Sequence, residues 1–365
     1  MKNDGNYIKP TTMTVITTYQ CTSVCKECCF ECNPYVKGKL SFNDISSFIQ
    51  ETYDYYHETL KLCVFTGGEC TLLGNDLLNS ISYAHNLGLL TRIVSNGWWG
   101  KTSNTAFNYV KKLICSGLDE INLSTGDDHQ EWVPFSNIKN ILIAAYRQKI
   151  SIVINVETRE DSKFNWTSLF LDEDLRKIIK KDNGKLIKIV NGVWIPFRKG
   201  SVIKQSETTV KKINELKQTS GCDSILNFIG LNPYKELVSC CGLSMEYIDS
   251  MKLGKYETGN LNNLFLSQFN DFMKIWIWVD GPEKIAYYAY KKDPSLRDII
   301  SNIAHPCEAC SLIYNNMAIK KTLLNNYKDV MDSVMLKYKI KLCQNDQSIL
   351  NNIAEGRELN EIFKT

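Results

Sequence analysis

Cys21, Cys25 and Cys28 stand as CxxxCxxC directly after a β-prone run, Thr12 to Tyr19. Three thiolates at that spacing suit a cuboidal 4Fe–4S cluster held through three of its irons, with the fourth left open. An open iron can chelate the amine and carboxylate of S-adenosylmethionine and pass an electron into its sulfonium. The product would be a 5′-deoxyadenosyl radical, able to take hydrogen from unactivated C–H bonds. Further on, Leu62-Cys63-Val64-Phe65-Thr66 reads as a buried strand and runs into Gly67-Gly68-Glu69. Paired glycines let a ligand approach the backbone closely, and Glu69 offers a carboxylate to a methionine amine. A plain tight turn after a strand is the ordinary alternative for the glycine pair.

These residues need a scaffold that brings the ends of two strands together. From Thr12 to about Pro196 the chain alternates apolar β-prone runs with amphipathic helical stretches. The strand candidates are Met13 to Thr18, Leu62 to Thr66, Leu90 to Ser95, Glu120 to Ser124, Ser151 to Glu157 and Leu186 to Ile195. Helices are expected at Phe42 to Tyr56, opened by Ser41 with Asp44 in a capping-box-like pair, and at Asp76 to Asn86, Thr105 to Ser116 and Ser136 to Gln148. Six β-α repeats imply an α/β fold, a parallel sheet shaped as a partial (β/α)6 TIM barrel whose open side admits a large substrate. Chemistry in such barrels gathers at the C-terminal ends of the strands, where both motifs fall.

With 365 residues and 44% hydrophobic content, there is room for one large domain and a smaller one. Lys+Arg 43 against Asp+Glu 40 leaves a net charge of +3 with no polybasic block, which argues against a nucleic-acid partner or an anionic membrane surface. The polar N-terminus has no signal-peptide core, and no apolar run approaches a membrane span, so a cytoplasmic location is expected. Fourteen cysteines in a reducing compartment point to metal ligands rather than disulfides.

CxxxCxxC, GGE and the six-fold β-α pattern together make residues 12 to 200 resemble the radical S-adenosylmethionine superfamily. The resemblance implies cofactor contacts from Gly67, Gly68 and Glu69, from Ser95 and Asn96 after the third strand, from Ser124 after the fourth, and from Asn155 on the fifth. Glu27 departs from the pattern: that position is commonly aromatic and touches the adenine. Phe30 is a substitute candidate for that contact.

A second cysteine group, Cys222, Cys240, Cys307 and Cys310, resembles the twitch domain, a shortened SPASM domain holding one auxiliary 4Fe–4S cluster. It implies two clusters in all. A structural zinc site with four cysteine ligands is the alternative for this group. Lys235 stands where the twitch pattern usually has Gly. The expected division is an N-terminal segment 1–11, the barrel 12–200, a twitch-like auxiliary-cluster domain 201–314 and a helical tail 315–365.

Longer strings narrow the resemblance: CKECCFECNP, FTGGE, SNGWWG, Asp128-His129, SCCG and PCEACSLIYN. They are similar to radical peptide epimerases that convert L- to D-residues in ribosomally made peptides. In such enzymes a thiol returns hydrogen to the face opposite abstraction, and Cys241 occupies the matching position. The acid that some of these enzymes carry after the first auxiliary cysteine would here be Asp223, or absent. A dehydrogenase or a thioether or carbon–carbon crosslinking enzyme, with the auxiliary cluster accepting an electron, is the second expectation, and a zinc-stabilised scaffold the third. The partners implied are a peptide and an electron donor such as flavodoxin or ferredoxin. Asp127, Asp128 and His129 are expected near the substrate opening. No winged-helix peptide-recognition segment is expected in the short stretch ahead of the first strand.

Overall fold

The computed structural model describes residues 7–197 and 203–345. The described residues divide into two compact units, one of 10–197 and 203–210 with Phe228–Leu266, the other of 7–9, Lys211–Asn227 and 267–345.

The first unit carries the barrel. Its elements are β1 (Thr12–Ile16), α1 (Phe42–Tyr56), β2 (Leu62–Thr66), α2 (Asn75–Asn86), β3 (Leu90–Ser95), α3 (Ser103–Cys115), β4 (Glu120–Thr125), the single-turn α4 (Asp127–Gln130), α5 (Phe135–Arg147), β5 (Ser151–Thr158), α6 (Glu173–Asp182) and β6 (Ile187–Val193). All six strands run parallel, with Ile16 beside Thr66, Phe65 beside Ile93 and Ser124 beside Asn155. Local chemistry explains the helices between them. The Ser41 side chain accepts the Asp44 N–H and Asp44 accepts the Ser41 N–H, so α1 opens on the expected capping box. Thr102 and Thr105 do the same for α3. Ile45, Phe48, Ile49, Thr52 and Tyr56 recur at helical spacing and form the buried face of α1.

After the short α7 (Ile213–Leu216), three further strands that the β-α pattern did not count extend the sheet: β7 (Ile225–Leu231), β8 (Glu236–Cys240) and β9 (Lys252–Lys255). The order is β6-β5-β4-β3-β2-β1-β7-β8-β9, so β6 and β9 are edges and the barrel stays open. From Phe228 on, β7 lies parallel to β1, whereas β8 and β9 pair antiparallel with a register shift at Leu237/Val238. At the turn between β7 and β8, Asn232 Oδ1 accepts the N–H groups of Tyr234 and Glu236, and Lys235 takes φ 59°. That left-handed angle is the one the usual glycine adopts freely. Here a lysine adopts it, with its Nζ 2.7 Å from Asp44 Oδ1.

α8 (Leu261–Ser267) leads into the second unit, which is helical: α9 (Phe272–Asp280), α10 (Pro282–Lys292), α11 (Arg297–Ile300), α12 (Pro306–Asn315), α13 (Met317–Asn326) and α14 (Lys328–Asn345). α9 is apolar nearly all round and accordingly buries Ile275, Trp276, Ile277 and Trp278. Tyr338 of α14 packs edge-on to Trp278 at 5.6 Å, and Lys341 Nζ sits over the same ring at 4.1 Å. No helix among the described residues is long and apolar enough to cross a membrane.

Candidate active site

The strand ends after β1 and β2 are fastened to each other by backbone. Thr17 N donates to Thr66 O, Gly68 N to Thr18 O at 2.6 Å and Glu69 N to Gln20 O at 2.9 Å. Side chains have no room in this seam. A Cβ on Gly67 would collide with Thr18 O, and one on Gly68 with Gln20 O. Gly67 also takes φ 142°. What comes close to the glycine pair in the structure is therefore the segment leading into Cys21. The cysteine loop folds back when Cys21 N donates to Asn33 O.

Glu69 is fully buried. Its carboxylate accepts from Thr71 N and Thr71 Oγ1, from Ser95 Oγ and from Asn96 N at 2.8 Å. Burial pushes its pKa up, and those donors act against the rise. Asn96 completes the link to the loop, with Nδ2 donating to Thr22 Oγ1 at 2.9 Å and Ser23 Oγ at 3.0 Å and lying 3.6 Å from Cys21 Sγ. Trp98 Nε1 donates to Thr71 Oγ1 and Trp99 Nε1 to Ser95 Oγ, so both tryptophans buttress this network. Glu69, Ser95, Asn96 and Cys21 thus form one connected site.

The thiols suit a polycationic guest. Burial, then the charge of Glu69, pushes Cys21 up to about 12. Burial and then the charges of Cys28 and Cys21 raise Cys25. Cys28 goes the other way, down to about 6, because the Cys32 thiol donates to it. Deprotonated together, the three would repel one another, and a bound iron–sulfur core would remove that penalty. Among the described residues, no group of three or more His, Cys, Asp or Glu side chains is gathered in a way that could hold a metal ion.

Along the inner face of β4 and β5, Ser124 lies beside Asn155. Asn155 Oδ1 and Asn122 Oδ1 are buried without a hydrogen-bond partner. A Cβ on Gly192 of β6 would come within 2.6 Å of that Asn155 oxygen. Buried acceptors left without a partner beside a glycine are what a ligand with hydroxyl or amine donors would satisfy. Glu27, in place of an aromatic residue, is buried and accepts the Phe197 N–H at 2.8 Å. Phe30 rests against Tyr19, with ring centroids 5.8 Å apart.

Beyond β4 and β5, Asp128 and His129 meet two residues that motif spacing did not single out, Glu157 and Arg159. Glu157, at the end of β5, is buried and accepts from Asp128 N and from His129 Nδ1. Asp128 pairs with Arg159 Nη1 at 2.9 Å and accepts from Trp194 Nε1 at 2.9 Å. A charged residue closing an otherwise apolar strand was the available signal for Glu157.

Cys240 ends β8 and is buried, and Cys241 after it is exposed. Cys222, Cys307 and Cys310 belong to the helical unit. Cys307 and Cys310 fall on one face of the first turns of α12, where His305 caps the helix by accepting Cys307 N and Pro306 takes the first position. Cys222 N donates to Ile277 O, and Cys222 and Pro306 line one cleft of 360 Å³ with Lys211 and Glu283. Asp223 is exposed and paired with Lys341 at 3.1 Å.

Sheet order and cysteine loop together define an architecture: a partial parallel barrel with a three-cysteine loop after its first strand. One protein it is similar to is the "Putative peptide biosynthesis protein YydG" of Bacillus subtilis (strain 168), 24% identical over 155 residues, 42% of this chain and 48% of that protein. The chain thus spans about half the length of the curated relative it matches. No family model matches. Among solved structures, anSMEcpe with bound AdoMet superposes with a TM-score of 0.47 at 12% identity, over 89% of this chain and all of that one. BtrN in complex with AdoMet and 2-DOIA gives 0.42 at 10%, covering 73% and 87%. Streptococcus suis SuiB gives 0.35 at 12%, covering 65% and 61%. With TM-scores below 0.5, these superpositions add nothing to the architecture that sheet and loop define.

Proposed function

We propose that the chain is a radical S-adenosylmethionine enzyme that takes hydrogen from a ribosomally made peptide and epimerises L- to D-residues. The observation that carries the radical reading is the seam joining the cysteine loop to the GGE turn, with Asn96 bridging Cys21 and Glu69. Cys21, Cys25 and Cys28 would hold the cluster. Glu69 would take the methionine amine, and Ser95, Asn96, Ser124 and Asn155 would receive the rest of the cofactor. When bound, cluster and cofactor supply a 5′-deoxyadenosyl radical.

The peptide reading is supported by the name of the Bacillus subtilis relative and by the motif strings. Cys241 would return a hydrogen atom to the peptide carbon, because it is exposed directly after β8 and its S–H bond is comparable in strength to a peptide Cα–H. The thiyl left behind is restored by one electron and one proton, drawn from an external donor of the flavodoxin or ferredoxin type. A second cluster is proposed from the spacing of Cys222, Cys240, Cys307 and Cys310 alone.

Anaerobic turnover in heavy water, with synthetic peptides copied from short reading frames beside the gene, tests the reaction. Epimerisation makes the product one mass unit heavier per inverted residue and D-configured on chiral hydrolysis. A product two units lighter would mean dehydrogenation instead. Cys241→Ala should abolish inversion while 5′-deoxyadenosine still forms.

A further inference from the structure

Three polar residues follow β4, and two of them are spent on structure. Asp127 accepts the N–H groups of Lys163 and Phe164 at 2.7 and 2.9 Å and so ties down the segment after β5. Asp128 is buried against Arg159 and Trp194. His129 differs from both. Its Nδ1 is taken by Glu157, while Nε2 has no partner among the described residues. The ring keeps 14% of its side-chain surface accessible and is braced edge-on by Trp194 at 5.3 Å. A carboxylate only accepts, so Nδ1 carries a proton, and in the neutral ring Nε2 is left as an acceptor.

We infer that His129 is a substrate-contacting residue, whose Nε2 accepts an N–H from the backbone of the peptide being modified, and that Glu157 is its positioning residue. This rests on the peptide-modifying reading above. A ring clamped on one nitrogen by a buried carboxylate and on its face by an indole has little rotational freedom left to lose on binding, which suits a group that must hold one peptide carbon in reach of a radical. An acceptor commits the contact to a donor on the substrate. In an extended peptide the donor closest to each Cα is its own amide N–H.

The test separates the two ring nitrogens. The amide of Asn can take over the Nδ1 position and keep the bond to Glu157, whereas the longer Gln carries its amide to the Nε2 position. Wild type, His129→Asn and His129→Gln are loaded with iron to the same content and turned over with the synthetic peptides, reading 5′-deoxyadenosine formed per peptide modified and the peptide KM. The expected result is a ratio at least tenfold higher in His129→Asn, with a raised KM, and a ratio within about threefold of wild type in His129→Gln. A merely structural histidine predicts the reverse order, with Asn harmless and Gln disruptive, and either that order or two variants matching wild type overturns the inference while leaving the enzymatic reading intact. Wild type that makes 5′-deoxyadenosine yet modifies no peptide overturns the reading and the inference together.

Discussion

At the scale of single residues, the GGE turn shows how one motif serves two purposes. The glycines were read as places for a ligand to approach, and in the structure the cysteine-loop backbone makes that approach, with the carboxylate of Glu69 buried behind it. A methyl group on Gly68 has only backbone to displace, because the Gln20 carbonyl cannot swing aside as a side chain would. Gly68→Ala should therefore cost about 2 kcal/mol of stability, a typical overpacking penalty, and lower iron retention per chain. Chemical denaturation and an iron assay check both. An alanine variant as stable and as iron-loaded as wild type would mean that the seam is not what holds the loop. The residues that could be read in advance were those whose type is itself the chemistry: Cys21, Glu69 and Asn96. Glu157 and Arg159 escaped notice because their role comes from where β5 ends relative to β4, and no local spacing encodes that distance.

Elements were legible where pattern and caps agreed. α1 begins and ends where Ser41 and the apolar spacing put it, and β2 and β3 match their runs to the residue. β7 to β9 were not counted, since a strand that returns to pair beside β1 announces itself only through tertiary contact. α9 was hidden for another reason: a helix apolar on all sides carries no amphipathic period to read. Its last residue, Asp280, joins Lys284 of α10 and Lys337 of α14. Burial pushes the Asp280 pKa up, but those lysines outweigh it and hold the carboxyl below its usual range. A depressed carboxyl pKa stabilises the fold above the unfolded value near 3.8, and the contribution is lost as pH falls through the folded value. Acid should accordingly release α14 from α9. Trp278 fluorescence, compared in wild type and Asp280→Asn, should show a transition below about pH 4 in wild type that is blunted in the variant. Identical acid profiles would contradict this.

On the scale of the whole molecule, the open sheet decides what the chain can do. With β6 and β9 left as edges, the sheet does not close on itself, and the loops that follow its parallel strands gather at one end. The fold and the first cysteine loop were legible from the β-α alternation and the spacing of three thiols. The reaction was not, because one barrel serves many radical outcomes and the choice lies in how the substrate is held. The central claim is that Cys21, Cys25 and Cys28 arm S-adenosylmethionine for homolysis. The measurement that tests it most directly is 5′-deoxyadenosine release, by anaerobic, iron-reconstituted protein given dithionite, S-adenosylmethionine and the synthetic peptides. The account predicts its formation in wild type and its loss when the three cysteines are replaced by alanine. No 5′-deoxyadenosine from wild type, or an equal yield from the triple variant, would contradict it.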